Sequence, residues 1–277
     1  MIGPAGQEAG APTMEEGTRP VILKAEAISM RFGPVVAVDR VDYQLYRHEV
    51  AGILGSNGAG KTTFFNVLTG YYTPTQGRIF YHGRDITHLS PEQRVALGIA
   101  RTFQLTSTFD NLSVLDNLVL AFFRSQHRPR VGTLLFKRCA AYRDHPKIRS
   151  VLEQFDLDPL ASRLACHLGL GEKRRMEIAM AVLADPELLL LDEPLAGLAE
   201  SEIKGVLDVL RQQVGKQTIL IVEHKISHVR DFLERLIVMH EGRIIAEGGY
   251  EECLRDPEVR KSYWQIDEAS DGPHHGL

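Results

Sequence analysis

The nine residues GSNGAGKTT, from Gly55 to Thr63, place three glycines around one lysine. The apolar run 50–54 precedes them, and a helical pattern from Lys61 to Leu68 follows. This order of strand, glycine loop and helix matches the Gly-x4-Gly-Lys-Thr phosphate-binding loop without a mismatch. Backbone N–H groups and the positive end of the helix receive phosphate in such a loop. The stretch therefore predicts an α/β domain that binds a nucleotide.

Two residues of the loop carry specific roles in this prediction. We expect the Lys61 ammonium to reach the β- and γ-phosphates and the Thr62 hydroxyl to ligate Mg²⁺. The loop alone is shared by kinases, GTPases, motors and transport ATPases, so other motifs must decide among these classes. The predicted nucleotide-binding residues of the loop are Gly55, Ser56, Asn57, Gly58, Ala59, Gly60, Lys61, Thr62 and Thr63.

Length and composition limit the class of protein. The chain has 277 residues, 44% of them hydrophobic and 25% charged, which suits one large α/β domain with its own core. A formal net charge of -4 argues against a general nucleic-acid binder. Cys139, Cys166 and Cys253 form no CxxC pair, which is typical of reduced thiols. The sequence shows no apolar run of about 18 residues and no signal-peptide pattern, so we expect it to stay in the cytoplasm.

The hydrophobic pattern predicts an ordered domain between two polar ends. Residues 1–19 and 266–277 are expected to be disordered tails because they hold few apolar anchors. The domain between them, 20–265, begins with the strand-like alternation of an antiparallel β subdomain. A helical pattern without strand signals occupies about residues 105–170 and predicts an inserted helical subdomain.

Two later runs predict the centre of a mainly parallel sheet. Residues 187–191 and 218–222 are continuously apolar, as strands covered on both faces are. The helix between them carries Ile203, Val206 and Leu210 on one face, which makes a strand, helix, strand unit. The predicted fold class is therefore α/β, a P-loop NTPase domain with a mainly parallel core sheet, an antiparallel β subdomain and an inserted helical subdomain.

Polar side chains follow both of these strands. Asp192 and Glu193 end the sequence LLLLDEP, and we expect Asp192 to hold the Mg²⁺ shell and Glu193 to polarise an attacking water. Glu223 follows the second of these strands directly, and His224 is the next residue. It would lie near the γ-phosphate if the two strands are neighbours, because site residues gather at the carboxyl ends of parallel strands.

The P-loop, LLLLDEP and the strand followed by histidine together resemble the ATP-binding cassette (ABC) ATPases. The resemblance extends from Val21 to Trp264 and implies that Gln104, in ARTFQ, contacts Mg²⁺ and water beside a membrane partner. It also implies that Phe32 stacks on adenine. The sequences RFGPVVAVDRV, NVLTGYYTPTQGRI and LLLLDEPLAGL are most similar to ATPase subunits of importers for branched-chain amino acids or polar solutes such as urea. The implied catalytic residues are Glu193, His224, Gln104 and Lys61, and the implied metal ligands are Thr62, Gln104 and Asp192.

Two motifs depart from the family pattern. The signature, usually LSGGQ, is matched by LGLGE at 168–172, so Gly169 replaces a serine that hydrogen-bonds the γ-phosphate held by the partner domain. Such a bond to a charged group is worth about 1.5 to 3 kcal/mol. Ala199 stands where the D-loop usually carries Asp or Asn. The resemblance still assigns nucleotide contact to Leu168, Gly169, Gly171 and Glu172.

These departures affect contacts between two ATPase domains and leave two interpretations open. In the family, two domains enclose two ATP molecules, each between the P-loop of one domain and the signature of the other. A different partner chain with a complete signature would give one competent and one weak site, whereas two copies of this chain would give two sites with the weak signature. Alternatively, this subgroup tolerates a loose signature.

The stretch from Arg124 to Arg149 has eight basic residues against one acid, Asp144, and encloses the apolar segment 131–136. The usual interpretation of such a run is a solvated charged face. The alternative is contact with anionic headgroups or with the loops of a membrane partner.

The resemblance predicts an ATP-hydrolysing subunit that powers a membrane importer from the cytoplasmic side. The implied partners are two transmembrane permease subunits, a second ATPase subunit and, indirectly, a solute-binding protein, with no nucleic acid. The implied cofactor is Mg²⁺ bound with ATP. Rival interpretations are the ATPase of an exporter or lipid-extraction machine, and a nucleotide-dependent switch that hydrolyses ATP slowly.

Overall fold

The structure is a computed structural model that describes residues 19–102, 108–126, 140–224 and 226–264. Apart from Arg19, the two predicted tails lie outside this part of the chain, as do residues 127–139 of the basic stretch. Within the four ranges, no helix is both long enough and apolar enough to cross a membrane.

The described part of the chain contains both strands and α-helices. In order, the strands are β1 (Val21–Phe32), β2 (Val35–Tyr46), β3 (Val50–Leu54), β4 (Gln76–Tyr81), β5 (Arg84–Asp85), β6 (Ile99–Thr102), β7 (Leu188–Asp192), β8 (Thr218–Val222), β9 (Arg235–His240) and β10 (Arg243–Gly248). The α-helices are α1 (Lys61–Thr69), α2 (Pro91–Val95), α3 (Val114–Gln126), α4 (Pro146–Gln154), α5 (Leu170–Val182), α6 (Glu200–Arg211), α7 (Tyr250–Arg255) and α8 (Pro257–Trp264).

The described strands form two sheets. The larger has the order β10-β9-β3-β8-β7-β6, and its strands are parallel except for β10, which pairs antiparallel with β9. The smaller has the order β2-β1-β4-β5 and is antiparallel. The predicted combination of a mainly parallel core sheet with an antiparallel β unit is confirmed.

The position of β7 between two core clusters explains why its sequence is apolar without alternation. Leu189 and Leu191 belong to a core cluster shared with α5 and α6, whereas Leu188 and Leu190 belong to a second cluster that includes Phe64 of α1. Successive side chains of a strand point to opposite faces, so both faces of this strand are covered. The same alternation in β8 places the larger sheet between two layers of apolar side chains.

The register of the parallel strands aligns their carboxyl ends. Val222 of β8 pairs with Ile53 of β3 on one side and with Asp192 of β7 on the other. The segments that follow these three strands therefore leave the sheet at one edge, where polar residues of different strands lie close together.

Arg94 of α2 fixes the carboxyl-terminal end of α1, the helix that follows the glycine loop. Its side chain is buried, and this desolvation lowers its pKa to about 10. Five backbone carbonyls within 3.2 Å accept its hydrogen bonds, those of Val67, Leu68, Ile86, Thr87 and Leu89. The guanidinium thus joins the last turn of α1 to the turn before α2. A cation is favourable at the last turn of a helix because the helix dipole is negative there.

We predict that Arg94→Met lowers the free energy of unfolding by about 3 kcal/mol or more, because several buried carbonyls lose their donor at once. Urea denaturation followed by circular dichroism measures the change. The matched control is Arg78→Met at an exposed arginine, which should change stability by no more than about 0.5 kcal/mol. Equal effects of the two substitutions would contradict this account of Arg94.

Candidate active site

The loop after β3 is built so that the start of α1 stays open. Gly60 precedes the helix with φ 97°, and a Cβ there would lie 2.4 Å from the carbonyl oxygen of Ala37. No side chain caps this helix, and the first N–H groups of a helix have no partner within it. These features leave backbone donors and the positive end of α1 available to an anion, as the sequence predicts.

Lys61 lies folded over the loop. Its Nζ donates to the carbonyl oxygen of Gly55 at 2.7 Å and to that of Ser56 at 3.0 Å. Burial lowers the pKa of this lysine, and the nearby carboxylates of Glu193 and Asp192 oppose that shift. The ammonium is therefore held by neutral carbonyls above the glycine loop, in a position to exchange them for phosphate oxygens.

Asp192 ends β7 with a fully buried carboxylate. Its Oδ2 accepts a hydrogen bond from Nη2 of Arg101 at 2.7 Å, and burial raises its pKa above the ordinary range while Arg101 opposes this shift. Its Oδ1 has no hydrogen-bond partner within the described part of the chain. An unsatisfied buried carboxylate oxygen and the hydroxyl of the exposed residue Thr62 are of the ligand type, oxygen, that Mg²⁺ prefers.

Glu193 and His224 face each other across the ends of β7 and β8. The Oε1 atom of Glu193 lies 3.0 Å from Nε2 of His224. The backbone N–H of Glu193 donates to the carbonyl of Val222 at 2.8 Å, which fixes the turn after β7 against β8. Glu193 has a φ of 46°, in the left-handed region that non-glycine residues adopt only when their surroundings hold them there.

Glu223 is a site residue that the sequence interpretation missed. Its buried carboxylate accepts from the backbone N–H of Leu195 at 2.6 Å and from that of His224 at 3.1 Å. It therefore connects the turn that carries Glu193 to the turn that carries His224. The only signal in the sequence is an acid directly after an apolar strand, which does not reveal its partners.

Phe32 lies at the end of β1 with 44% of its surface exposed. The edge of the Tyr72 ring contacts it, with the ring centres 5.4 Å apart and the planes at 75°. An exposed aromatic ring held by a second ring presents a flat apolar face suited to stacking on a base. Sequence reasoning selected Phe32 and did not anticipate Tyr72.

The residues of the signature lie at the start of α5. Gly169 precedes this helix, and its N–H donates to Oε2 of Glu172 at 2.8 Å. Glu202 of α6 accepts from the N–H of Gly171 at 3.0 Å and from that of Ala199 at 3.0 Å. These two backbone hydrogen bonds, that of Ala199 first, lower the pKa of Glu202. The signature and the D-loop are thus linked by one carboxylate that the sequence did not single out.

Most of the predicted residues can be placed. Lys61, Asp192, Glu193 and His224 gather at the carboxyl edge of the parallel sheet, where the charges of both carboxylates act on Lys61. Gln104 lies outside the described residues, so its predicted contacts with Mg²⁺ and water stay predictions. The arrangement combines an anion-binding loop, a buried carboxylate for a cation and a carboxylate paired with histidine, which suits transfer of a phosphoryl group to water.

Comparison with known proteins agrees with this chemistry. The family model described as ABC transporter matches residues 38–196. The high-affinity branched-chain amino acid transport ATP-binding protein LivG of Escherichia coli K12 is 35% identical over 252 residues, which are 87% of this chain and 97% of LivG. The corresponding protein BraF of Pseudomonas aeruginosa is 35% identical over 249 residues, with the same shares of the two chains.

A solved structure gives the same result for the fold. The ADP conformation of an ATP-binding cassette of an ABC transporter superposes with a TM-score of 0.75 at 32% sequence identity, covering 88% of this chain and 98% of that one. The chain belongs to the ABC transporter family, and within it to the subunits that bind and hydrolyse ATP. The resemblance and the ABC ATPase fold predicted from the sequence are confirmed.

Proposed function

We propose that this chain hydrolyses ATP at the carboxyl edge of its parallel sheet to energise an importer of branched-chain amino acids or a related polar solute. The observation that carries the proposal is the 3.0 Å contact between Glu193 and His224, beside the open loop that Lys61 covers. The solute class is supported by the names of the LivG and BraF relatives, which align over almost their whole lengths.

Each residue at the edge has a role in this proposal. Glu193 orients and polarises the attacking water, and His224, in hydrogen-bond contact with it, keeps the glutamate in place and faces the γ-phosphate. Lys61 exchanges its loop carbonyls for the β- and γ-phosphate oxygens. The remaining residues of the loop bind phosphate through backbone N–H groups, and Phe32 stacks on adenine.

Mg²⁺ is proposed to bind with the nucleotide, where it neutralises charge on the phosphates. Asp192 and Thr62 supply oxygen ligands, directly or through water, and the open Oδ1 atom of Asp192 supports this assignment. Gln104 is proposed to complete the set from the segment after β6.

The proposed partners follow from the ABC architecture. Two permease subunits form the membrane channel, a second ATPase subunit completes the dimer, and a solute-binding protein delivers the solute to the permeases. The chain would act at the cytoplasmic face of the membrane as a peripheral subunit. We also propose an ATPase domain over 20–265 with a helical subdomain at about 105–170, in which helices near Gln104 pass the motion to the permeases.

We predict that Glu193→Gln reduces ATP turnover at least about 100-fold while ATP still binds, because the substitution removes the base and keeps the shape. Phosphate release by purified protein measures turnover, and fluorescence of a nucleotide analogue measures binding. The control is Glu258→Gln on the exposed face of α8, which should leave turnover unchanged. Equal, slow turnover in the wild type and in Glu193→Gln would favour the alternative of a nucleotide-dependent switch.

We predict that Gly169→Ser strengthens ATP-driven dimers of the Glu193→Gln protein. A Cβ at Gly169 would lie 3.7 Å from the nearest atom, Oε2 of Glu172, so the serine fits without displacing its neighbours. The added hydroxyl donor to a charged phosphate should lower the dimer dissociation constant about tenfold or more. Light scattering during size exclusion with Mg-ATP measures this constant over a range of protein concentrations.

The matched control for this prediction is Gly169→Ala, which adds the same Cβ without a hydroxyl. It should leave the dissociation constant near that of Glu193→Gln alone. If serine and alanine behave alike, the missing hydroxyl has no part in dimer formation, and the interpretation that this subgroup tolerates a loose signature is favoured.

A further inference from the structure

Arg101 lies beside the site and has no role in the function proposed above. It belongs to β6, where it pairs with Leu190 of the neighbouring β7. Only 11% of its side chain is exposed. Because a largely buried guanidinium is costly unless its charge and its donors are satisfied, its contacts indicate what it does.

The guanidinium joins the end of β7 to the loop helix. Nη2 donates to Oδ2 of Asp192 at 2.7 Å, and Nη1 donates to Oδ1 of Asn66 at 2.7 Å and to Oγ1 of Thr69 at 3.0 Å. Asn66 and Thr69 both belong to α1. One side chain therefore fixes the carboxylate of Asp192 relative to the helix that follows the phosphate-binding loop.

Two aromatic rings favour arginine over lysine at this position. The guanidinium carbon lies 4.9 Å from the centre of the Phe65 ring and 5.0 Å from that of Tyr71. A planar, delocalised cation stacks on such rings and reaches several acceptors at fixed angles, whereas a lysine ammonium offers one point charge. The orientation of the fork toward Asp192 is thus set by packing as well as by charge.

The other cations that act on this region are bound elsewhere. Nη1 of Arg174 donates to Oε2 of Glu177 at 2.9 Å, and Nζ of Lys61 donates to two loop carbonyls. Within the described part of the chain, Arg101 is the cation that forms an ion pair with Asp192, whereas Arg174 and Lys61 act on Asp192 through their charge without such a contact. Its two oxygens are divided, with Oδ2 on the arginine and Oδ1 open.

We propose that Arg101 is a positioning residue that holds the buried carboxylate of Asp192 in one orientation before Mg²⁺ arrives, through its hydrogen bond to Oδ2, and leaves Oδ1 for the cation shell. This inference rests on the Mg²⁺ site proposed above. Without Arg101, the carboxylate loses its compensating charge in the metal-free chain. The folded protein then depends more strongly on Mg²⁺ with nucleotide than the wild type does.

The test is a double-mutant cycle of Arg101→Met and Asp192→Asn, read as melting temperature with a non-hydrolysable ATP analogue in either EDTA or MgCl₂. In EDTA, Arg101→Met should melt lower than the wild type, and adding Asp192→Asn should recover most of the loss because the buried charge is gone. The increase in melting temperature caused by Mg²⁺ should exceed that of the wild type by about 4 °C or more in Arg101→Met.

Two results would overturn the inference. The first is an Arg101→Met loss in EDTA that is the same with Asp192 or Asn at that position, since the arginine would then act only through Asn66 and the aromatic rings. The second is an equal Mg²⁺ increment in Arg101→Met and wild type. A wild type without any Mg²⁺ increment would instead contradict the proposed Mg²⁺ site, and the cycle in EDTA would still decide the role of Arg101.

A matched control exists at the opposite end of the sheet. Arg235, at the start of β9, and Glu49, just before β3, form a pair with Nε 2.6 Å from Oε1 and side-chain exposures of 8% and 6%. Arg235→Met should lower the melting temperature equally with and without Mg²⁺. If Arg101→Met does not fold, Arg101→Lys keeps the charge without the fork, and a smaller shift of the same sign in the Mg²⁺ increment is expected.

Discussion

Backbone pairing of three short parallel strands brings the residues of the candidate site to one edge of the sheet. β3, β8 and β7 are each five residues long and buried along their whole length, and Val222 is level with both Ile53 and Asp192. A shift of one residue would move each side chain of a strand from one core cluster to the other, where its neighbours differ, so close packing of the two clusters favours this register. The glycine loop, Glu193 and His224 therefore lie at one edge because the three strands pair in this register.

The carboxyl edge of the parallel sheet and the start of α5, the two regions proposed to contact nucleotide, differ in how their polar groups are bonded. At the sheet edge, the side chains proposed to bind phosphate and polarise water lie close together. Buried partners support this edge, since Glu223 accepts from the backbone N–H of His224 and Arg101 donates to Asp192. At the start of α5, the N–H groups of Gly169 and Gly171 instead donate to glutamates of the same chain. The half proposed to hydrolyse ATP is thus held by contacts within one chain, whereas two N–H groups of the half proposed to serve a neighbour already donate to carboxylates of this chain.

Local patterns explain what the sequence could predict. The glycine loop, the apolar strands and the carboxylates at the end of β7 depend on neighbours in sequence, so their positions followed from spacing and periodicity. Arg101 stands in the quoted sequence ARTFQ, but its partner Asp192 is 91 residues away, and only the packing of β6 beside β7 brings the two together. Glu202 and Gly171 are likewise 31 residues apart in sequence, and only the folded structure brings them into contact.

Calorimetric titration of ATP into the Glu193→Gln protein with Mg²⁺ tests the central claim most directly, since that variant separates binding from hydrolysis. The account predicts one ATP bound per chain, with affinity reduced at least about tenfold when Lys61→Met is added, because the loop then lacks the ammonium that Gly55 and Ser56 hold in place. Equal affinity with and without Lys61, or no ATP binding by the single chain, would show that the edge of the parallel sheet is not the nucleotide site.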